Sequence, residues 1–456
     1  MRLDRVAGKK VGIVGAARSG VAAARLLRRH GASVFVSDSR SEDQLADALK
    51  TLRSENIEFE TSGNTARAFE GRDFVVVSPG VPPDAPVSKQ IDAAGVPVIS
   101  EIELGFWLCD GNMVAITGSN GKTTTTTVTG EIFKQSGVPT FVAGNIGSPF
   151  CDICDQVPAH GWVVLEISSA QLERCYDFKP RIASVLNLTP DHLDRYGDFA
   201  TYAEMKMRIG ENQTATDAFV ANRDDAYLME LCSPLPGKKF YFSISDIVAP
   251  GVCVENGMLT SNVEGDARVI MPVTDITLPG PHNLQNCAAA AAIAAIAGVS
   301  DDSIRAVLST FAGVEHRLEG CGAVGHVKFI NDSKATNVDS VWYALQSVAG
   351  KLVVIMGGRD KKGDFGRLRD LVSRHVSEIV LIGEASDKIE RSLGDLVPTH
   401  KVDSMEKAVR IGFELARPEG TVMLSPACAS FDMFNDYEHR GRVFKQAVSK
   451  LREEAP

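Results

Sequence analysis

Short apolar runs, each closed by glycine, proline or a polar cluster and followed by a helical stretch, recur along most of this chain. That alternation predicts strands feeding helices, and hence doubly wound, mainly parallel sheets. In the first segment Lys10–Val14 reads as a strand, 15–20 as a turn and 21–30 as a helix with alanines and leucines inward. Ser33–Ser37 is a second strand ending at Asp38, and Phe74–Val77 a third, stopped by Ser78-Pro79-Gly80. Over 101–111 the pattern changes to that of a linker. A second segment opens with a strand at 113–116 and continues with buried strands at 162–165 and 182–188 and a helix over 199–211. Residues 238–278 have a short, β-like texture with Glu255-Asn256-Gly257 as a hairpin turn, which predicts a small β insertion before an Ala-rich helix over 283–297. From Val314 onward, strands at 327–330, Leu352–Met356, 378–382 and 421–424 alternate with helices. The expected fold is α/β in three domains: Rossmann-like over 1–109, a central parallel sheet with the β insertion over 110–313, and Rossmann-like again over 314–456.

The strand at 113–116 runs into Thr117-Gly118-Ser119-Asn120-Gly121-Lys122-Thr123-Thr124. Gly118 and Gly121 let the backbone turn its N–H groups inward, Lys122 brings a point charge to terminal phosphates, and the Thr123 hydroxyl is a ligand for Mg²⁺. The central domain is therefore expected to resemble P-loop ATPases and to bind a nucleoside triphosphate. The usual pattern has a glycine five positions before the second Gly; Ile116 stands there instead, so the loop is shorter at its front.

Length, 456 residues, exceeds what one hydrophobic core usually serves. With 44% hydrophobic and 23% charged residues the composition is globular, and a net charge of -10 offers no basic field for nucleic acid or an anionic membrane. Nine cysteines, an odd number without a paired framework, suggest a reducing compartment. Cys151 and Cys154 have redox or metal spacing but lack a second pair, so they read as structural. The first residues lack the apolar run of a signal peptide and no stretch has the length of a membrane span, so the cytoplasm is the expected location, with a monomer as the expected state.

Ligands of open α/β sheets gather at the carboxyl ends of strands. Glu166 ends one strand, where its carboxylate could meet Mg²⁺ or cap the next turn. His192 follows another and reads either as a metal ligand or as a solvated loop histidine, while Lys206 in its helix reads as a surface lysine. The first turn, Gly15-Ala16-Ala17-Arg18-Ser19-Gly20, has Ala17 where a dinucleotide fingerprint needs its second glycine, which weighs against a nicotinamide-dependent dehydrogenase. Asp38 is placed for a ribose or base contact.

Taken in order, these signals resemble the Mur ligase family. The resemblance rests on Glu166-Ile167-Ser168-Ser169, Asn187-Leu188-Thr189-Pro190-Asp191-His192-Leu193-Asp194-Arg195-Tyr196, Gly280-Pro281-His282-Asn283-Leu284-Gln285-Asn286, His316-Arg317, Asn331 to Asn337, and Ser425 to Asp432, and spans nearly the whole chain. It implies ATP-dependent amide ligation in bacterial peptidoglycan precursor synthesis, in the branch that adds D-glutamate to UDP-N-acetylmuramoyl-L-alanine. By the same resemblance Gly118, Ser119, Asn120, Gly121, Lys122, Thr123 and Thr124 hold ATP, with Asn283 and Asn286 at adenine, Arg317 at the transferring phosphate and Asp332 at the ribose. Two Mg²⁺ ions are implied, on Thr123, Glu166, His192 and a Lys206 carbamylated by CO₂. Arg18, Ser19, Asp38, Ser39, Arg40, Ser78, Gly80 and Asn145 are implied to hold the UDP substrate, and Thr336, Lys361, Ser430 and Phe431 the D-glutamate. Lys122, His192, Lys206 and Lys334 are the implied catalytic set. Carbamylation needs a neutral amine, and an unperturbed lysine of pKa ~10.4 is neutral in only about one molecule in 2,500 at pH 7, so a lowered pKa or capture by metal is required.

Overall fold

A computed structural model describes residues 2–348, 350–360 and 363–454. Its chain divides into two compact units, one comprising 1–277 and 283–311, the other 278–282 and 312–456.

The first unit contains two sheets. In the N-terminal one, β1 (Lys10–Val14), β2 (Ser33–Ser37), β3 (Glu58–Glu60), β4 (Phe74–Val77) and β5 (Val98–Ile99) lie in the order β3-β2-β1-β4-β5, all parallel. The helix after β1 starts at Arg18, earlier than its apolar pattern suggests, because the turn residues Arg18, Ser19 and Gly20 already lie in its first turn. Gly20 is buried there: a Cβ would stand 1.8 Å from the Gly15 carbonyl oxygen, so helix and strand meet at backbone distance.

The second sheet has nine strands: β6 (Asn112–Thr117), β7 (Thr140–Gly144), β8 (Trp162–Glu166), β9 (Ile182–Val185), β10 (Ala218–Asn222), β11 (Lys238–Ser243), β12 (Gly251–Glu255), β13 (Met258–Ser261) and β14 (Arg268–Pro272). The order is β14-β13-β12-β11-β10-β9-β6-β8-β7, parallel from β7 to β12 and antiparallel at β13 and β14. The β-like stretch over 238–278 thus forms the far edge of this sheet. Its hairpin turns on Asn256 and Gly257 with φ of 50° and 74°, the left-handed pair a two-residue turn demands.

The stretch expected as a linker is instead the helix Glu101–Leu108, almost entirely buried. Hydrophobic residues flank every polar position there, so a polar-linker reading fails: Ile102, Leu104, Trp107 and Leu108 join one core that runs from Ile13 and Val36 under the first sheet to Ala115 and Val163 under the second. Its two glutamates are internal fasteners. Glu103 accepts the backbone N–H groups of Tyr176, Asp177 and Phe178 and the Trp107 indole N–H, at 2.9 to 3.1 Å. Glu101 accepts the Cys151 N–H at 2.6 Å, while its Oε2 meets no hydrogen-bond partner among the described residues.

The second unit carries β15 (Glu319–Val324), β16 (His326–Asn331), β17 (Leu352–Met356), β18 (Val376–Ile382), β19 (Thr399–Val402) and β20 (Glu419–Leu424) in the order β15-β16-β20-β17-β18-β19, parallel except for the β15–β16 pair. Apolar clusters cover both its faces. Among the described residues no helix is long and apolar enough to cross a membrane.

Burial raises the Glu101 carboxyl to about 7. Because the folded protein holds this proton above the ordinary carboxylate range, the contribution is full at low pH and is lost as pH rises through about 7. Glu101→Gln, which mimics the protonated form, is expected to flatten the fall in melting temperature between pH 5 and pH 8, by up to about 3 kcal/mol of stability at the alkaline end. Parallel pH profiles for the two proteins would refute this.

Candidate functional site

In the central sheet β6 lies between β8 and β9, with Ile116 beside Glu166 and Thr117 beside Val185. Their carboxyl ends therefore bring the phosphate loop, Glu166 and the segment after β9 to one edge, where such sheets bind ligands. The loop is braced from that segment. Asn187 Oδ1 accepts the Asn120 N–H at 2.8 Å, the Asn187 carbonyl accepts the Ser119 N–H at 3.0 Å, and the Ser119 hydroxyl donates to the Thr189 carbonyl while accepting its N–H, both at 2.9 Å. Gly121, φ 82°, begins the helix Lys122–Gln135, whose N-terminus favours an anion. Lys122 Nζ folds onto the carbonyls of Gly118 and Ser119 at 2.7 and 2.8 Å, and Thr123 and Thr124 are buried. Asn286 stands against the loop: its Oδ1 accepts the Thr125 hydroxyl and its Nδ2 donates to Asn283 Oδ1, each at 3.3 Å.

Lys206 corrects the sequence expectation of a surface lysine, being 1% exposed. It lies in the helix Phe199–Met207 one turn after Tyr202, so both share a face, and its Nζ sits 4.5 Å from the Tyr202 ring centre. The Tyr202 hydroxyl reaches Ser119 Oγ at 3.3 Å. Burial, and then the charge of Lys122, drive the Lys206 amine well below the ordinary lysine range, against the opposing pull of Asp191 and Glu166. Glu166 is itself buried and accepts an N–H from the Asn145 side chain at 2.8 Å. His192 takes a left-handed φ of 53°, its backbone N–H donating to Asp191 Oδ1 at 2.8 Å, and its ring lies 6.2 Å from that of Tyr202. Phosphate loop, Glu166, Asp191, His192 and Lys206 thus form one neighbourhood. Asp191 and Tyr202 escaped assignment from sequence; the four-residue interval between Tyr202 and Lys206 was the signal for the latter.

The donor set fits a divalent cation: a threonine hydroxyl, the buried Glu166 carboxylate, the half-buried Asp191 carboxylate and a histidine. Glu166, Asp191 and His192 do not by themselves bring three ligand atoms within 4.8 Å; among the described residues Glu315, His316 and Glu319 do so. Lys445 pairs with both glutamates of that second group, at 2.6 and 2.8 Å, which satisfies it internally. A cation held at the phosphate loop would need further ligands beyond these side chains, as Mg²⁺ commonly takes from phosphate oxygens and water.

At the carboxyl edge of the N-terminal sheet a cavity of about 710 Å³ is lined by Arg18, Ser19, Asp38, Ser39, Arg40, Ser78 and Gly80 among others. Asp38 accepts the Ala16 N–H at 2.7 Å and a bidentate pair of bonds from Arg40. Burial pushes its carboxyl up, but these hydrogen bonds outweigh that and hold it below the usual range. The Ser78 hydroxyl donates to the Gly15 carbonyl at 2.9 Å, tying the two loops of the cavity together. Asn145 is not among the lining residues and sits on Glu166.

In the second unit Asp332 is buried, accepts the Ser425 hydroxyl at 2.8 Å and the Leu318 N–H at 3.2 Å, and is raised by burial to about 7. Arg317 is near enough to oppose that rise. Lys334 lies 5.4 Å from the Tyr437 ring centre, Ser430 is buried, Thr336 half-buried, and Phe431 is 63% exposed. Arg440, unassigned from sequence, joins the loops: fully buried, it donates to Ser333 Oγ and to the carbonyls of Ser333 and Cys428 at 2.8 to 3.1 Å. Lys361 lies outside the described residues.

Residues 9–100 match the family model for the Mur ligase MurD-like N-terminal domain, 116–294 that for the Mur ligase middle domain, and 316–428 that for the Mur ligase glutamate ligase domain. The UDP-N-acetylmuramoylalanine--D-glutamate ligase of Chloroherpeton thalassium is 41% identical, with 99% of this chain and 100% of the relative covered. An enzyme of the same name from Koribacter versatilis is 42% identical, with 98% and 99% covered. Among solved structures, UDP-N-acetylmuramate-alanine ligase MurC of Thermotoga maritima superposes with a TM-score of 0.61 at 20% identity, over 97% of this chain and 100% of that one. MurF ligase of the same organism, in complex with ADP, gives 0.59 at 17% identity over 98% and 97%. At those identities the structures establish the fold.

Gly121 is the most stringent position in the loop. Alanine there puts a Cβ 2.2 Å from Asn286 Oδ1 and imposes a side chain on φ 82°. Gly121→Ala is expected to weaken ATP binding at least about tenfold, a strain of one to a few kcal/mol concentrated in the loop. Calorimetric titration with unchanged affinity would contradict it.

Proposed function

Because the chain belongs to the Mur ligase family, we propose that it joins D-glutamate to UDP-N-acetylmuramoyl-L-alanine at the expense of ATP, in bacterial peptidoglycan precursor synthesis. The observation that carries this reading is the N-terminal cavity lined by Arg18, Asp38, Arg40 and Ser78, built into the same unit as the phosphate loop. The full-length identity to D-glutamate ligases supports it. Within the reading, 1–109 bind the uridine nucleotide, 110–313 bind ATP and 314–456 bind the amino acid. The protein acts as a monomer in the cytoplasm.

A carboxylate is a poor electrophile. The alanyl carboxylate first attacks the terminal phosphorus of ATP, giving an acyl phosphate and ADP; the D-glutamate amine then attacks the acyl carbon and phosphate departs. Negative charge builds on the phosphoryl oxygens in the first step, and fixed positive groups there lower the barrier. Lys122 and the N–H groups at the start of Lys122–Gln135 supply it. Ser119, Asn120, Thr123 and Thr124 cradle the phosphates, Asn283 and Asn286 face adenine, Arg317 meets the transferring phosphate and Asp332 the ribose. Thr336, Lys361, Ser430 and Phe431 surround the incoming amino acid, with Lys334 beside the reacting groups. Arg18, Ser19, Asp38, Ser39, Arg40, Ser78 and Gly80 hold the UDP portion, and Asn145 bridges from Glu166 toward the muramoyl end.

Two Mg²⁺ ions, when bound, would add neutralising charge at the phosphates, held by Thr123, Glu166, His192 and a carbamate on Lys206. The environment of Lys206 suits that modification: its amine, pushed toward the neutral form by burial and by Lys122, can add to CO₂ and release a proton, becoming an anionic oxygen ligand.

The test is phosphate release with ATP, UDP-N-acetylmuramoyl-L-alanine and a panel of amino acids. D-glutamate is expected to exceed L-alanine and meso-diaminopimelate by about 10⁴-fold, the discrimination available to a site whose buried polar groups a wrong substrate leaves unpaired. Equal rates would defeat the assignment.

A further inference from the structure

Three residues beyond His192, Arg195 occupies the short helix Leu193–Tyr196. Its guanidinium is largely enclosed, 17% exposed, and spends all three of its nitrogens. Nε and Nη2 form a bidentate pair with Glu173 at 2.6 and 2.7 Å, and Nη1 donates to the Pro79 carbonyl at 3.2 Å. Glu173 closes the helix Ser169–Leu172 that follows Glu166, and also accepts the Tyr196 hydroxyl at 2.7 Å. Pro79 lies in the turn after β4 of the other sheet and lines the N-terminal cavity between Ser78 and Gly80.

One side chain therefore joins three segments: the Asp191–His192 loop, the segment after Glu166, and the cavity wall. We infer that Arg195 is a positioning residue that holds the Asp191–His192 loop in register with the uridine-nucleotide cavity. Through it, the place where the nucleotide end of the substrate is held sets where the other end meets the phosphate loop. Lysine cannot replace it, since a point charge lacks the fork that grips Glu173 and the third donor that reaches Pro79. The bidentate pair keeps the guanidinium plane fixed, so the Pro79 contact has a defined direction. Tyr196 extends the arrangement inward, its ring 5.6 Å from that of Tyr202, which lies against Lys206.

This inference rests on the proposed assignment of the cavity to the uridine nucleotide, and calorimetric binding of UDP-N-acetylmuramoyl-L-alanine to the wild-type protein tests that assignment by itself. Given such binding, Arg195→Lys is expected to raise the KM for the UDP substrate and the Mg²⁺ concentration for half-maximal rate about tenfold each, with the KM for ATP within about twofold, a loss confined to groups the arginine aligns. Guanidinium added to Arg195→Ala should restore part of the rate. Combining Arg195→Lys with Glu173→Gln should cost no more than the worse single change, because both break one unit. Two results would overturn the inference: an unchanged KM for the UDP substrate with an unchanged Mg²⁺ requirement, or equal rises in all three constants together with a lowered melting temperature, the mark of a merely structural staple.

Discussion

A lysine amine buried beside a second lysine is the constraint on which the centre of this protein depends. Leaving Lys206 charged would mean withholding an ammonium from water next to Lys122, with Glu166 and Asp191 as partial compensation. Burial resolves the conflict by favouring the neutral amine. That choice fixes what surrounds it: Tyr202 beneath, the phosphate loop braced by Asn187 and Ser119, and the ends of β6, β8 and β9 brought level by their register. In the proposed reading, such an enclosed nitrogen is the group that CO₂ would convert into an anionic ligand.

The joint between the first two sheets follows the same logic of buried polar groups placed for geometry. A continuous core alone would let two sheets slide; Glu103, receiving three successive backbone N–H groups, and Glu101, receiving that of Cys151, give the joint direction. The N-terminal cavity and the phosphate loop consequently belong to one compact unit, whereas the residues assigned to the amino acid belong to the other.

Much of this was legible in the sequence because strand-end chemistry is local. Gly118 to Thr124, Glu166 and Asp38 follow apolar strands directly, and the structure gathers them where the strands end. Arg18, Ser19, Ser39, Arg40, Ser78 and Gly80 line a single cavity because they occupy consecutive strand ends of one sheet. What escaped was long-range. Lys206 looks like any helical lysine until Tyr202 and the phosphate loop cover it. The helix Glu101–Leu108 reads as a linker from sequence because nothing local shows that its glutamates point into protein, where backbone N–H groups far along the chain donate to them. Arg195 and Arg440 carry no local signal at all, since their acceptors, Pro79 and Cys428 among them, come from separate loops.

Carbamylation of the Lys206 amine is the claim on which the rest turns, and ¹³C NMR reads it directly. Protein incubated with ¹³C-bicarbonate, Mg²⁺ and ATP is expected to show one slowly exchanging carbamate carbonyl signal that is absent from Lys206→Ala. A wild-type spectrum with no such signal, or one that survives in the alanine variant, would contradict the account.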